Sequence, residues 1–195
     1  MTTAKNTGLK LKGHNYNRFT GWRLIALLAV FTAYTLWFTG PGPFGELTRI
    51  PGYEYLQSRG VYSGAEAVAA IDSLSAEQRT IKFKALGFDL IYMVLQTWVF
   101  EALIAFGLAA LGLMSSRWRW VLLLPMGFLV FDFLEGSFLA LVVLTSSALA
   151  GSIAGIFTLM KFVFFIPLIF LSLGLALSGG VAIILRKGKG PDSFG

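Results

Sequence analysis

Apolar residues in this chain fall into four long blocks separated by short polar stretches. They run from about Trp22 to Phe38, Leu86 to Met114, Trp120 to Leu144 and Ala148 to Leu185. Crossing a bilayer as a helix takes roughly 20 predominantly apolar residues. Segments that meet lipid shed charge, and those that meet water keep it. The alternation therefore predicts an all-α fold, a bundle of four transmembrane helices. The last block is too long for one span and too short for two. Gly151-x-x-x-Gly155 near its start, Pro167 within it and Gly179-Gly180 towards its end suggest a single kinked or tilted helix whose ends overhang. The first block could be the core of a signal peptide. Its long basic lead-in, the lack of a small-x-small cleavage site after it, and Trp22 and Trp37 as interface anchors favour an uncleaved first span.

Between the first two blocks, residues 40–86 form the one sizeable polar segment. Gly40-Pro41-Gly42-Pro43 ends the first helix. Two capping boxes follow, Ser63-Gly64-Ala65-Glu66 and Ser75-Ala76-Glu77-Gln78. In each, the hydroxyl caps the third backbone N–H and the Glu or Gln side chain reaches back. Two short amphipathic helices are expected, Ser63 to Asp72 and Ser75 to about Lys84, lying as a cap on the bundle. The predicted organisation is a basic tail (1–21), a four-helix membrane domain (22–185) that includes the 40–86 cap, and a second basic tail (186–195).

Composition agrees with the pattern. The 195 residues are 56% hydrophobic and 13% charged, with a mean hydropathy of +0.73; soluble domains carry about 25% charged residues. The net charge of +6 reads as topology signal rather than a nucleic-acid footprint, because Lys and Arg cluster at span ends and form no basic face. The N-terminal region through Arg23, the 115–119 turn and the C-terminal tail together hold ten Lys and Arg; residues 40–86 hold five, balanced by five acids, and 145–153 hold none. The positive-inside rule then places both termini in the cytoplasm and the cap outside. With no cysteine and a single histidine, His14 in the N-terminal tail, thiolate chemistry is excluded and a His/Cys metal site is not expected. No cofactor is implied.

Five charges sit inside the predicted spans: Asp89, Glu101, Asp132, Glu135 and Lys161. Each costs roughly 2.5–3.5 kcal/mol at the bilayer centre on insertion scales, so such residues face the bundle interior and pair. Asp132 and Glu135, at i, i+3, share a face roughly 14–18 Å below the outer end of the third helix. Lys161 enters from the outer side of the fourth at roughly 10 Å, with Thr158 three residues before it on the same face. Asp89, Tyr92 and Gln96 share a face of the second helix. Glu101 is about 140° away from Gln96 around that helix and is set apart. Tyr34 and Thr35 of the first span lie at similar depth. The candidate site is thus an outer-half polar pocket of Asp89, Tyr92, Gln96, Asp132, Glu135, Thr158 and Lys161. Two carboxylates on adjacent turns cannot both ionise comfortably, and three acids face one lysine.

At these residues the chain resembles a group of small four-span bacterial membrane proteins. They have a capped-helix segment before the second span, an aspartate and tyrosine early in that span, D-x-x-E in the third and T-x-x-K in the fourth. Here these are Asp89 and Tyr92, Asp132-Phe133-Leu134-Glu135, and Thr158-Leu159-Met160-Lys161. Gly136 stands where the group often has Asn. The likeness covers roughly residues 60–170, implies a bacterial inner membrane and implies no activity. From the residues, the leading expectation is a protein that binds a small amphipathic or lipidic molecule in the pocket. The alternatives are a membrane enzyme with Asp132 or Glu135 as general acid/base, proton or cation transport as a homo-oligomer, and a scaffold whose charges only bind helix to helix.

Overall fold

A computed structural model describes residues 21–188 except Glu54 and Ser115; most of both basic tails lies outside the described residues. Four segments are long and apolar enough to cross a membrane, Trp22–Thr48, Ala76–Leu111, Trp120–Thr145 and Ala148–Leu185. No strand occurs among the described residues. This is a multi-pass membrane protein of all-α fold.

The first span is α1 (Trp22–Thr39). The Gly40–Gly42 turn ends it, and a six-residue helix not anticipated from the sequence, α2 (Pro43–Thr48), starts with proline in its first turn. That position suits proline, since its missing N–H would have no intrahelical partner there. A 3₁₀ turn follows at Leu56–Arg59, then α3 (Gly64–Asp72). The first capping box forms as expected. Ser63 Oγ accepts from the Glu66 N–H at 3.2 Å, and Glu66 Oε2 accepts from the Ser63 N–H at 2.6 Å.

The Ser63 N–H and the Ser63 hydroxyl, which donates to Glu66 Oε2 at 2.8 Å, together with Arg59 at 3.3 Å, hold the exposed Glu66 carboxyl below its ordinary value of 4.5. A carboxylate with a depressed folded value contributes stability that is present above the unfolded value and lost as pH falls through the folded one. Protection of α3 amides from hydrogen exchange is therefore expected to decline as pH drops below 4.5. Glu66→Gln should flatten that decline, and an identical pH profile in the variant would contradict the assignment.

The second capping box also forms, with Gln78 Oε1 accepting from the Ser75 N–H at 2.9 Å. The helix it starts does not end near Lys84. It continues as α4 (Ala76–Leu111), one 36-residue helix that is both cap and second span. The expected break at residues 84–86 is absent because no proline occurs there, and Gly87 alone costs only about 1 kcal/mol in a helix interior. The far end falls at Leu111 rather than Met114. Gly112 takes a left-handed conformation (φ 74°), and the Leu113 N–H donates back to the Leu108 carbonyl at 2.8 Å, the wrap of a glycine C-cap.

A 3₁₀ segment, Ser116–Leu123, leads into α5 (Leu124–Thr145), so the third span's α-helix starts four residues later than its apolar run. Ser146 and Ser147 make the turn to α6 (Ala148–Gly188), a single 41-residue helix with Pro167 inside. At 1.5 Å per residue it is about 60 Å long, against a hydrocarbon core of about 30 Å. Helices α4 and α6 run away from the cap, while α1 and α5 run towards it. Gly64 lies against Ala148, and Gly107 against Leu175 at the opposite end. Both ends of the described chain therefore point away from the cap.

The cap has no core of its own. Leu56, Tyr62, Ala67, Ile71 and Leu74 pack with Leu86, Leu139, Val142, Ala150 and Ala154 of the three spans beneath. Asp72 pins the assembly, accepting from Arg79 Nη2 of α4 and from Ser146 Oγ of the α5–α6 turn, both at 3.0 Å. The glycines of the Gly151-x-x-x-Gly155 motif make the seat. A Cβ at Gly151 would lie 2.8 Å from the Ala67 Cβ, and one at Gly155 would collide with the Tyr62 carbonyl.

Candidate functional site

Helix α4 leaves the cap at Ala76, α5 returns to it at Thr145, and α6 departs from it at Ala148. Asp89, Asp132 and Lys161 each lie thirteen residues from the capped end of their helix. They therefore share one level, about 20 Å along the helices. Lys161 is deeper than the 10 Å expected: thirteen residues at 1.5 Å each come to about 20 Å, and α6 is helical from Ala148 onwards. Its first turn is capped by Ser147, whose Oγ accepts from the Ala150 N–H at 3.3 Å.

Lys161 Nζ donates to Asp132 Oδ1 at 3.0 Å and pairs with Glu135 Oε2. The lysine thus sits between the two carboxylates and offsets their repulsion. Thr158 Oγ1 donates to Glu135 Oε1 at 2.7 Å, and the Thr158 and Tyr62 hydroxyls are hydrogen-bonded at 3.1 Å. A polar chain therefore runs from Asp132 through Lys161, Glu135 and Thr158 to Tyr62 at the base of the cap. Glu135 and Thr158 are completely buried, and Asp132 is nearly so. Charges removed from solvent this thoroughly are tolerable only when paired and hydrogen-bonded.

Beside this chain lies a cavity of about 260 Å³. Five of the seven expected residues line it: Asp89, Tyr92, Gln96, Asp132 and Lys161. Glu135 and Thr158 stand behind its wall. Its apolar side is Phe128, Phe162 and Phe165, with the Phe128 and Phe165 rings stacked at 5.2 Å between centroids. Glu101 is half-buried elsewhere on α4, apart from the cavity. Tyr34 donates to the Phe88 carbonyl and Thr35 to the Phe31 carbonyl, both at 2.8 Å, and neither lines the cavity.

Sequence reasoning missed four residues. Tyr55 and Gln57, from the segment before α3, also line the cavity. Tyr62 ends the polar chain. Lys82 is buried on the cap portion of α4, its ammonium 5.3 Å from the Tyr55 ring centroid and 5.8 Å from that of Tyr53. Lys82 and Asp89 share a neighbouring cleft of about 10 Å³. A signal for Lys82 was present, since Lys82, Asp89 and Gln96 recur every seven residues and so fall on one helix face. Tyr55, Gln57 and Tyr62 come from irregular backbone, which has no periodicity to read.

Burial, and then the negative charge of Asp89, Glu135 and Asp132, pushes the Tyr55 phenol well up. Burial and Glu135 push Tyr62 up as well. Both phenols therefore stay protonated at neutral pH and remain hydrogen-bond donors. Among the described residues, no three acidic or histidine side chains are placed to hold a metal ion. The arrangement offers two chemistries side by side: a paired ionic network between α5 and α6, and an amphipathic cavity whose polar wall includes a further carboxylate, Asp89.

No family model matches this chain, and no curated protein or solved structure matches it either. The likeness to small four-span bacterial proteins rests on the quoted motifs alone.

Proposed function

We propose that this protein binds a small amphipathic or lipidic molecule in the cavity between α4, α5 and α6. The reading is carried by the cavity wall itself. Charged and amide groups, Asp89, Asp132, Lys161, Gln57 and Gln96, stand on one part of it, and Phe128, Phe162 and Phe165 on another. Helix-to-helix ion pairing accounts for Asp132, Glu135 and Lys161. It needs neither a cavity of about 260 Å³ nor a carboxylate at Asp89. Ligand sites combine apolar walls with a few placed polar groups in volumes of about 300–1,000 Å³. This one lies just below that range, a size for a headgroup and the start of a chain. Its seven working residues are Asp89, Tyr92, Gln96, Asp132, Glu135, Thr158 and Lys161, joined by Tyr55 and Gln57 from the cap.

The likeness to small four-span bacterial proteins supports a bacterial inner membrane as the location, and the positive-inside count supports both termini cytoplasmic, the cap outside and the cavity opening in the outer half. Native mass spectrometry of gently purified protein is expected to show a bound adduct of lipid-like mass. Gln96→Trp, which fills the cavity from α4, should strip it. A stable, adduct-free wild-type protein would refute ligand binding.

A further inference from the structure

We propose that the cavity receives a cationic headgroup, a quaternary or alkylated ammonium carried on a short apolar tail, with Asp89 as its counter-ion. The inference rests on the ligand-binding reading above and adds the charge of the ligand to it.

Charge balance favours a cation. Among the described residues, five side chains that carry a charge when ionised gather around the cavity and its neighbouring cleft: Asp89, Asp132 and Glu135 against Lys82 and Lys161. Their sum is one negative charge. In a low-dielectric interior an uncompensated charge is costly, and a monocation in the cavity brings the set to neutrality. An anionic ligand would instead double the imbalance.

These charges differ in how far they are already engaged. Lys161 donates to Asp132 at 3.0 Å and pairs with Glu135, so the one ammonium lining the cavity is already engaged by two carboxylates. Lys82 points into the tyrosines, 5.3 Å from the Tyr55 ring. Asp89 lines both the cavity and the cleft, and no ion pair to it occurs among the described residues within salt-bridge distance.

The cavity wall also suits a cation. Five of the ten lining residues are aromatic: Tyr55, Tyr92, Phe128, Phe162 and Phe165. Ring faces attract cations, and quaternary ammonium groups in particular are recognised by aromatic enclosures. The chain's own ammonium groups already use two of these rings, Lys82 over Tyr55 and Lys161 over Phe162 at 5.9 Å. Phe128 and Phe165, stacked on each other, and Tyr92, stacked on Phe38, carry no ammonium of the described chain and present their remaining ring surface to the cavity. The apolar tail would follow Phe128 and Phe165 along α5 and α6.

Purified protein in a non-ionic detergent should be melted with hexyltrimethylammonium, hexyl sulfate and hexanol, one tail with three headgroup charges. Hexyltrimethylammonium at about ten times its Kd is expected to raise Tm by about 3–6 °C, and the other two should leave it unchanged. Asp89→Asn should weaken binding roughly tenfold or more, while Trp98→Phe, on the lipid-facing side of α4, should bind as wild type does. An equal shift with hexyl sulfate, or an undiminished shift in Asp89→Asn, overturns the proposal. Should Asp89→Asn fail to fold, the comparison of the three headgroups on the wild-type protein decides alone. If none shifts Tm while native mass spectrometry still finds an anionic or neutral lipid bound, the charge assignment falls and ligand binding stands. If there is neither shift nor adduct, both fall.

Discussion

Lys161→Met is expected to be the most damaging single substitution in the bundle, costing about 3–5 kcal/mol. The side chain is 13% exposed and holds two carboxylates, one of them with no exposed surface. Removing the ammonium leaves Asp132 and Glu135 facing each other inside the helices, so the penalty is chiefly that of unpaired buried charge rather than of a lost attraction. A companion experiment isolates the cause. Asp132→Asn and Glu135→Gln combined with Lys161→Met should recover most of the stability, because no charge is then stranded. Unfolding in mixed micelles, followed by helical signal, measures both. A triple variant as unstable as Lys161→Met would show that packing around the lysine stem, not charge, is what matters.

Gly155→Val is expected to lift the cap. Its side chain would occupy the position of the Tyr62 carbonyl, and backbone has little room to yield. Overpacking of a fitted interface costs about 1–3 kcal/mol, here concentrated where Tyr62 meets Thr158. Limited proteolysis should therefore cut within residues 49–62 much faster in the variant, with the transmembrane helices retained. Unchanged protection of that segment would mean that the cap is held by Asp72 and its partners rather than by the glycine seat.

What the sequence disclosed and what it withheld follow from the range of the interactions concerned. The four spans are signalled by apolar runs of 17 residues or more, and both capping boxes by four. Such local patterns survive without knowledge of neighbours. The boundary expected near Lys84 marks only a change from amphipathic to apolar composition; the backbone has no reason to break there and α4 runs on. The pairing of Asp132 and Glu135 with Lys161 was foreseeable from face and depth, although the depth of Lys161 was short by nearly half. Tyr55, Gln57 and Tyr62 were not foreseeable, since their positions depend on how an irregular segment folds back over helices distant in sequence. Thr158 and Tyr62 meet across 96 residues.

Because α4 passes from cap to interior without a hinge, it is a stiff lever with Lys82 on its outer arm and Asp89 and Gln96 on its inner one. No loop interrupts the path from the cap end of this helix to the cavity wall. Contact at the cap end would thus reach the cavity lining some 20 Å away along the same rod. A flexible joint inserted after Lys84 would silence that mechanical link while leaving every lining residue in place.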